Sequence, residues 1–290
     1  MNAQKWLAKA EAEGFALGAF NIDNLEIFKG VLAAAKNKKA PVIMEFSSGE
    51  EKFVGVNNIV DLVDNAREEG ATILINLDHC PDKAGIEKAI KAGFDMVHFD
   101  GSKLPYEENL KIAKEVVPKV HAKGLTVEGE IDHIAGSSGV HSGKLSQDEI
   151  KKALTNPEKA KEFVEETGID IFAAFFGNYH GIFEGQEKQV DFDLLKKIRA
   201  ALPGTFLSMH GGSGISDEQV KEAIKVGGIV KVNINTELRQ AFRDTTEKVL
   251  SEKPEEYAVY KIMPTVISAI QEVVEHKIDI FGSVGKANYA

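Results

Sequence analysis

The chain has one cysteine, Cys80, in 290 residues. No disulfide can form within it, and the expected setting is a reducing, cytoplasmic one. Cations are short as well: 35 Lys and Arg stand against 45 Asp and Glu, a net charge of -10. Duplex binding needs clustered positive charge, so nucleic acid is not an expected partner. No apolar run approaches the ~20 residues that span a bilayer. The N-terminal MNAQKWLAKAEAEG is amphipathic and has no signal-like apolar core, so no membrane partner is expected either. Also missing are a Pro/Ser/Gly linker, a composition break and a low-complexity tract, which argues against separate modules. What is present is a globular composition, 43% hydrophobic and 28% charged.

Apolar, β-branched runs recur eight times: LGAF at 17–20, PVIMEF at 41–46, TILINL at 72–77, DMVHF at 95–99, LTVEGE at 125–130, IDIFAAFF at 169–176, TFLSM at 205–209 and IVKVN at 229–233. Between them lie segments with 3.6-residue apolar spacing, such as NLEIFKGVLAAAKNKK and SDEQVKEAIKVGG, many closing on a glycine at the C-terminal cap, as at Gly70, Gly93, Gly124 and Gly227. This alternation predicts an α/β protein, a (β/α)8 TIM barrel spanning 1–290 as a single domain. Extra C-terminal helices from about 237 on are expected to pack at the barrel or at an oligomer interface. A doubly wound open sheet ranks second, because GAFNIDNLE after the first run offers only Gly18 where a dinucleotide fingerprint needs several glycines.

In such a barrel the active site lies at the C-terminal strand ends. The residues there are strongly polar: Asn21, Ser47-Ser48, Asp78-His79, Asp100, Glu128 and Glu130, Asn178 and His180, His210 before GGSG, and Asn233 and Asn235. A single histidine is more often a local hydrogen-bonding group than a ligand. Three at one rim, His79, His180 and His210, suit a catalytic Zn²⁺, which takes three protein ligands and keeps one position open. His98, inside DMVHFD, reads as a core or supporting residue, and Cys80 as a small buried hydrophobe. Asp78 either orients a ligand or acts as general acid/base. HGGSGISDEQV and KVNINTELR each pair a turn with a helix start, where free N–H groups can bind phosphate.

Taken together, GAFNIDNLE, SSGEEKFVG, LDHC, FDGSKLPYEEN, VEGEI, GNYHGIF, MHGGSGI, KVNINTELRQAF and FGSVGKAN resemble the class II, metal-dependent ketose-bisphosphate aldolases nearly end to end. The resemblance implies Zn²⁺, with Co²⁺ or Mn²⁺ as alternatives, on His79, His180 and His210. Asp100 and Glu130 match positions for a displaced or second metal. It implies Asp78 as acid/base, and Gly181, Gly211, Ser213, Asn233 and Thr236 around a sugar phosphate, with Na⁺ or K⁺ nearby in many members; Asn21, Ser48 and Asn235, at the same strand ends, are expected to bind substrate with them. The implied reaction is reversible cleavage of a ketose bisphosphate, fructose 1,6-bisphosphate foremost, to dihydroxyacetone phosphate and an aldehyde phosphate through a Zn-stabilised enediolate. A homodimer or homotetramer is implied as well. The alternatives are a tagatose-bisphosphate or other ketose-phosphate aldolase, a non-catalytic metal-binding accessory subunit, and a Schiff-base aldolase using Lys231.

Two segments depart from the family pattern. Where a mobile loop normally carries an acid that moves the proton at the nascent carbanion, this chain reads EIDHIAGSSGVHSG, with Ser137 and Ser138 in place of acids. One of His133 and His141 is the expected substitute, since an imidazole titrates near the working pH, and His141, between Gly139 and Gly143, is the better placed of the two to swing over a bound enediolate. Where many members carry Asp-Pro-Arg for the far phosphate, the chain reads AVYKIMP, with Tyr260 at the Arg position.

Overall fold

A computed structural model describes residues 1–133 and 136–287. Ile134, Ala135 and Asn288, which fall in quoted motifs, lie outside the described residues. Each of the eight apolar runs becomes a strand: β1 Leu17–Asn21, β2 Val42–Ser47, β3 Ile73–Cys80, β4 Met96–Phe99, β5 Thr126–Gly129, β6 Ile171–Ala173, β7 Phe206–Met209 and β8 Ile229–Ile234. All are parallel to their neighbours, and β1 pairs with both β2 and β8, so the sheet is a closed barrel rather than an open one. Strand β6 stops three residues short of its apolar run. There the Asn178 side chain accepts from Phe176 N–H and donates to the Ala174 carbonyl, taking over backbone groups a longer strand would have paired.

The barrel interior has two ends of opposite character. At the N-terminal end Leu17, Ala19, Ile43, Leu74, Met96 and Ile171 gather with Leu7 and Phe15, brought there by the helix Ala3–Glu13, which caps on Asn2. Farther along the same strands the chain turns polar: Glu45 accepts from Asn76 at 2.8 Å, and Glu128 accepts from Ser208. Lys231 bridges Glu45 and Glu128 at 2.7 and 2.8 Å, all three fully enclosed. The period-2 alternation of a strand cannot by itself produce this change along one face; it is written residue by residue in the sequence.

Outside, the helix Val259–Phe281 buries Ile262, Val266, Ile270, Val274 and Ile278, a stripe spaced every fourth residue, against the helices Leu25–Lys38 and Thr236–Glu252. The long connection after β5 holds helices Gln147–Ala153 and Pro157–Thr167, which the sequence reading did not single out. It also holds a short strand, Val140–His141, paired in parallel with Ile182–Phe183 from the loop after β6. This pairing lays the β5 loop across the C-terminal mouth. Among the described residues, no helix is long and apolar enough to cross a membrane.

Candidate active site

Adjacent strand residues ordinarily face opposite sides of a sheet, so Asp78 and His79 should not share a site. They do because β3 breaks its own pattern. His79 has φ +47°, a left-handed conformation rare for a residue with a Cβ, and the β3–β4 register shifts between Leu77 and Cys80. The bulge turns both polar side chains into the mouth and returns Cys80 to the apolar core. His98 secures the distortion: its Nδ1 accepts from the strained His79 N–H at 3.3 Å. Sequence reading gave His98 a supporting place but no partner. The signal, an inward histidine one strand over from the bulge, is spatial.

Three imidazoles meet over this tip. Ring centroids lie 4.8 Å apart for His79 and His210, 5.1 Å for His79 and His180, and 6.0 Å for His180 and His210. The outer nitrogens of two of them are claimed by carboxylates: His79 Nδ1 donates to Asp100 at 2.8 Å, and His210 Nε2 donates to Glu128 at 2.9 Å. These bonds fix the tautomers and leave His79 Nε2 and His210 Nδ1 facing each other at 3.1 Å. Two nitrogens on a tetrahedral ion with bonds of about 2.0–2.1 Å stand about 3.3 Å apart, so the spacing fits a shared cation. Ligand atoms of Asp78, His79, His98 and His210 lie within 4.8 Å of one another, as do those of His79, Asp100 and Glu130. Glu130 Oε2 is buried without a hydrogen-bond partner among the described residues, a lone pair such a cation can use.

The charges agree. Burial lowers the His210 pKa to about 4, and burial with the neighbouring His79 and His210 holds His180 well below its ordinary range, so both imidazoles are neutral donors. His79 differs: burial opposes its protonation, but Asp78, Asp100 and Glu130 together raise it well above the ordinary value. A cation held between His79 Nε2 and His210 Nδ1 would require His79 to give up its proton. Asp78 is buried, yet His79, His98, His210 and Lys231 hold its carboxyl well below the usual range, so it is ionised. It accepts from Asn21 at 3.1 Å and, at 3.4 Å, from Asn233.

Two cavities flank the imidazoles and share His79, His180 and Ser138. A cleft of about 30 Å³ brings together Asn21, Asp78, Gly181, Gly211, Ser213, Asn233, Asn235 and Thr236 from five segments of the chain. A larger cavity of about 320 Å³ opens past Asp100, Glu130, Lys103 and His133. Ser48 lines neither; it is exposed at the start of a short helix that Ser47 caps, and Glu50, buried behind it, is the residue bonded to Asn21 and Asn235. His141 stacks on Phe183 at 4.5 Å and donates from Nε2 to the Ser137 carbonyl, so its ring is engaged by the β6 loop and by its own. Asp132 accepts from Thr155. Arg239, which sequence reading passed over, bonds Asp23 and Glu50 and donates to the Ser138 carbonyl of the β5 loop at 2.9 Å.

Lys231 has no lone pair to offer a carbonyl carbon. Burial works against its charge, but Glu128, Glu45 and Asp78 raise its pKa above the ordinary lysine value. A Schiff-base lysine needs the opposite shift.

A family model, Fructose-bisphosphate aldolase class-II, matches residues 1–286. The chain belongs to the class II fructose-bisphosphate aldolase family. It is 41% identical to the fructose-bisphosphate aldolase of Streptococcus pneumoniae serotype 4 (strain TIGR4), over 99% of both chains. Among solved structures it is similar to the YdjI aldolase from Escherichia coli K12, with a TM-score of 0.82, 31% identity and 98% of each chain covered. A putative fructose-1,6-bisphosphate aldolase from Coccidioides immitis gives 0.85 and 30%, covering 100% of this chain and 99% of that one. Membership makes this chain a metal-dependent aldolase, an enzyme rather than an accessory subunit.

Proposed function

We propose that the chain cleaves fructose 1,6-bisphosphate reversibly to dihydroxyacetone phosphate and glyceraldehyde 3-phosphate, with Zn²⁺ held by His79, His180 and His210 and with Asp100 and Glu130 as a second resting place for the ion. The observation that carries this reading is three converging imidazoles, two of them held neutral, beside one ionised carboxylate at a single barrel mouth. When bound, the divalent cation supplies a Lewis acid for the charge left at C3 as the C3–C4 bond breaks.

The chain's own residues do the rest. Gly181, Gly211, Ser213, Asn233, Asn235 and Thr236 hold the ketose phosphate in the narrow cleft, using backbone N–H groups and side-chain donors. Asp78 takes the C4 hydroxyl proton as the aldehyde departs and returns it in condensation. His133, exposed and lining the larger cavity, serves the proton at C3 in place of the missing loop acid. The named relative and one solved neighbour favour fructose over tagatose as the sugar. Exposed Tyr257, Val259 and Tyr260 support self-association as a homodimer or homotetramer.

Cleavage by the purified chain should vanish with a chelator and return with Zn²⁺, while borohydride with substrate should leave no adduct on Lys231. Chelator-resistant turnover with a trapped lysine is the result that would overturn the reading.

A further inference from the structure

Lys188 lies outside the reaction as proposed, yet, like Lys231, it has three acceptors around its nitrogen. It follows the short strand Ile182–Phe183, and its backbone is fixed by Gln219, which donates to the Lys188 carbonyl and accepts from Val190 N–H. The side chain is 2% exposed and reaches back under the barrel mouth. Its Nζ donates to the carbonyls of Tyr179 at 2.6 Å, Gly211 at 2.7 Å and Ser213 at 2.5 Å. Three acceptor-only carbonyls on one nitrogen require three hydrogens, and only the ammonium has them. Burial pushes its pKa down to about 7 and Glu237 works the other way, while the three carbonyls give the ammonium a partner for every hydrogen.

Those carbonyls are not arbitrary. Tyr179 precedes His180, and Gly211 follows His210. The two loops touch backbone to backbone here: Gly211 has φ +62°, and a Cβ on it would meet the Asn178 and Tyr179 carbonyl oxygens at 2.3 Å. The far ends of two of the same peptide units are also fixed, Gly212 N–H on the Asn233 carbonyl and Gly214 N–H on Glu237. A ring of backbone carbonyls around one positive charge is how proteins bind a bare monovalent cation.

We propose that the Lys188 ammonium is a built-in monovalent cation: it fills a cradle formed by the Tyr179, Gly211 and Ser213 carbonyls and so sets the spacing between His180, His210 and the phosphate-binding turn. Lys188 is a positioning residue, and the cradle is a cation site that a free potassium or ammonium ion enters once the side chain is cut back. The inference rests on the aldolase reading for the consequence of misplacement, but not for the cradle itself.

The test compares the wild-type chain, Lys188→Ala and Lys188→Met in sodium, potassium, ammonium and tetramethylammonium salts of equal ionic strength with the same divalent cation. It follows fructose 1,6-bisphosphate cleavage and the thermal midpoint. Wild type should be indifferent to the salt. Lys188→Ala in tetramethylammonium should lose roughly 10²-fold in turnover, the scale of a misplacement of about 1 Å, with KM raised. Potassium or ammonium should restore its turnover and lift its midpoint. Lys188→Met, whose stem blocks the cradle, should stay low throughout. The proposal is overturned by a Lys188→Ala chain that is inactive or unfolded in every salt, by one fully active in tetramethylammonium, or by a wild type that potassium stimulates severalfold. If wild type cleaves nothing in any salt, the aldolase reading fails, and the midpoints alone then decide for Lys188: a rise with potassium or ammonium in Lys188→Ala upholds the cradle, and none overturns it.

Discussion

Asp78 and His79 are neighbours in sequence with different proposed roles, and the backbone between them brings both into one site. With Asn21 and Asn233 donating to its oxygens and cations on two sides, Asp78 is a carboxylate set in place before any substrate arrives. His79 takes its orientation from Asp100 and its place from the bulge, not from Asp78. Asp78→Ala is therefore expected to keep about one divalent cation per chain while turnover drops roughly 10²–10⁴-fold, the usual reach of a general acid/base. Metal analysis alongside single-turnover kinetics separates the roles: parallel loss of metal and rate would assign Asp78 to holding the ligand instead. The residue types of this cluster were legible in the sequence, because an acid and an imidazole ended an apolar run. The positive φ that lets them coexist was not, since nothing in LDHC marks a non-glycine residue for the left-handed region.

Among the elements, all eight strands were legible from apolar runs, because a parallel barrel buries both faces of each strand and leaves an unbroken signature. Caps were readable to within two residues: Gly93 closes its helix, whereas the helices expected to close on Gly70, Gly124 and Gly227 close on Glu69, Ala122 and Gly228. The loop after β5 resisted reading for a physical reason. Its order comes from pairing with Ile182–Phe183, a contact two loops make only after the barrel brings them together. Gly181 permits that contact: φ is +79°, and a Cβ would lie 2.4 Å from the Ser137 carbonyl oxygen. The pairing also divides the two loop histidines, His133 facing the larger cavity and His141 stacked on Phe183. Solvent-deuterium exchange into dihydroxyacetone phosphate should consequently fall at least tenfold in His133→Ala and change little in His141→Ala, general acid/base catalysis contributing roughly 10²–10⁴-fold. Parent-rate exchange in His133→Ala would point elsewhere, to Asp132 or to water.

At the scale of the whole molecule, the closed barrel sets a pH limit. His210 is fully enclosed and has a folded pKa of about 4, below its ordinary 6.5. The unfolded chain binds the extra proton between those values, so the His210 contribution to stability is complete above about 6.5 and is lost as pH falls toward 4. In metal-free protein, the unfolding free energy of wild type relative to His210→Asn should shrink by up to about 3 kcal/mol across that window. Urea denaturation at pH 6.5 and pH 4 measures it, and an unchanged difference would mean that His210 titrates normally.

The bridge from Lys231 to Glu45 and Glu128 has a further meaning in time. Strand β8 comes from near the end of the chain and pairs with β1 from near its beginning, so during synthesis β2 and β5 are made long before the one ammonium that compensates their acids. An incomplete barrel therefore carries uncompensated carboxylates on its inward face. Such charges discourage a half-made sheet from closing early or from adding a strand of another chain at its open edge. Arrival of β8 closes the ring and brings the ammonium between both acids in the same step, which makes completion of the barrel a more cooperative event than pairing of the last strand alone would be.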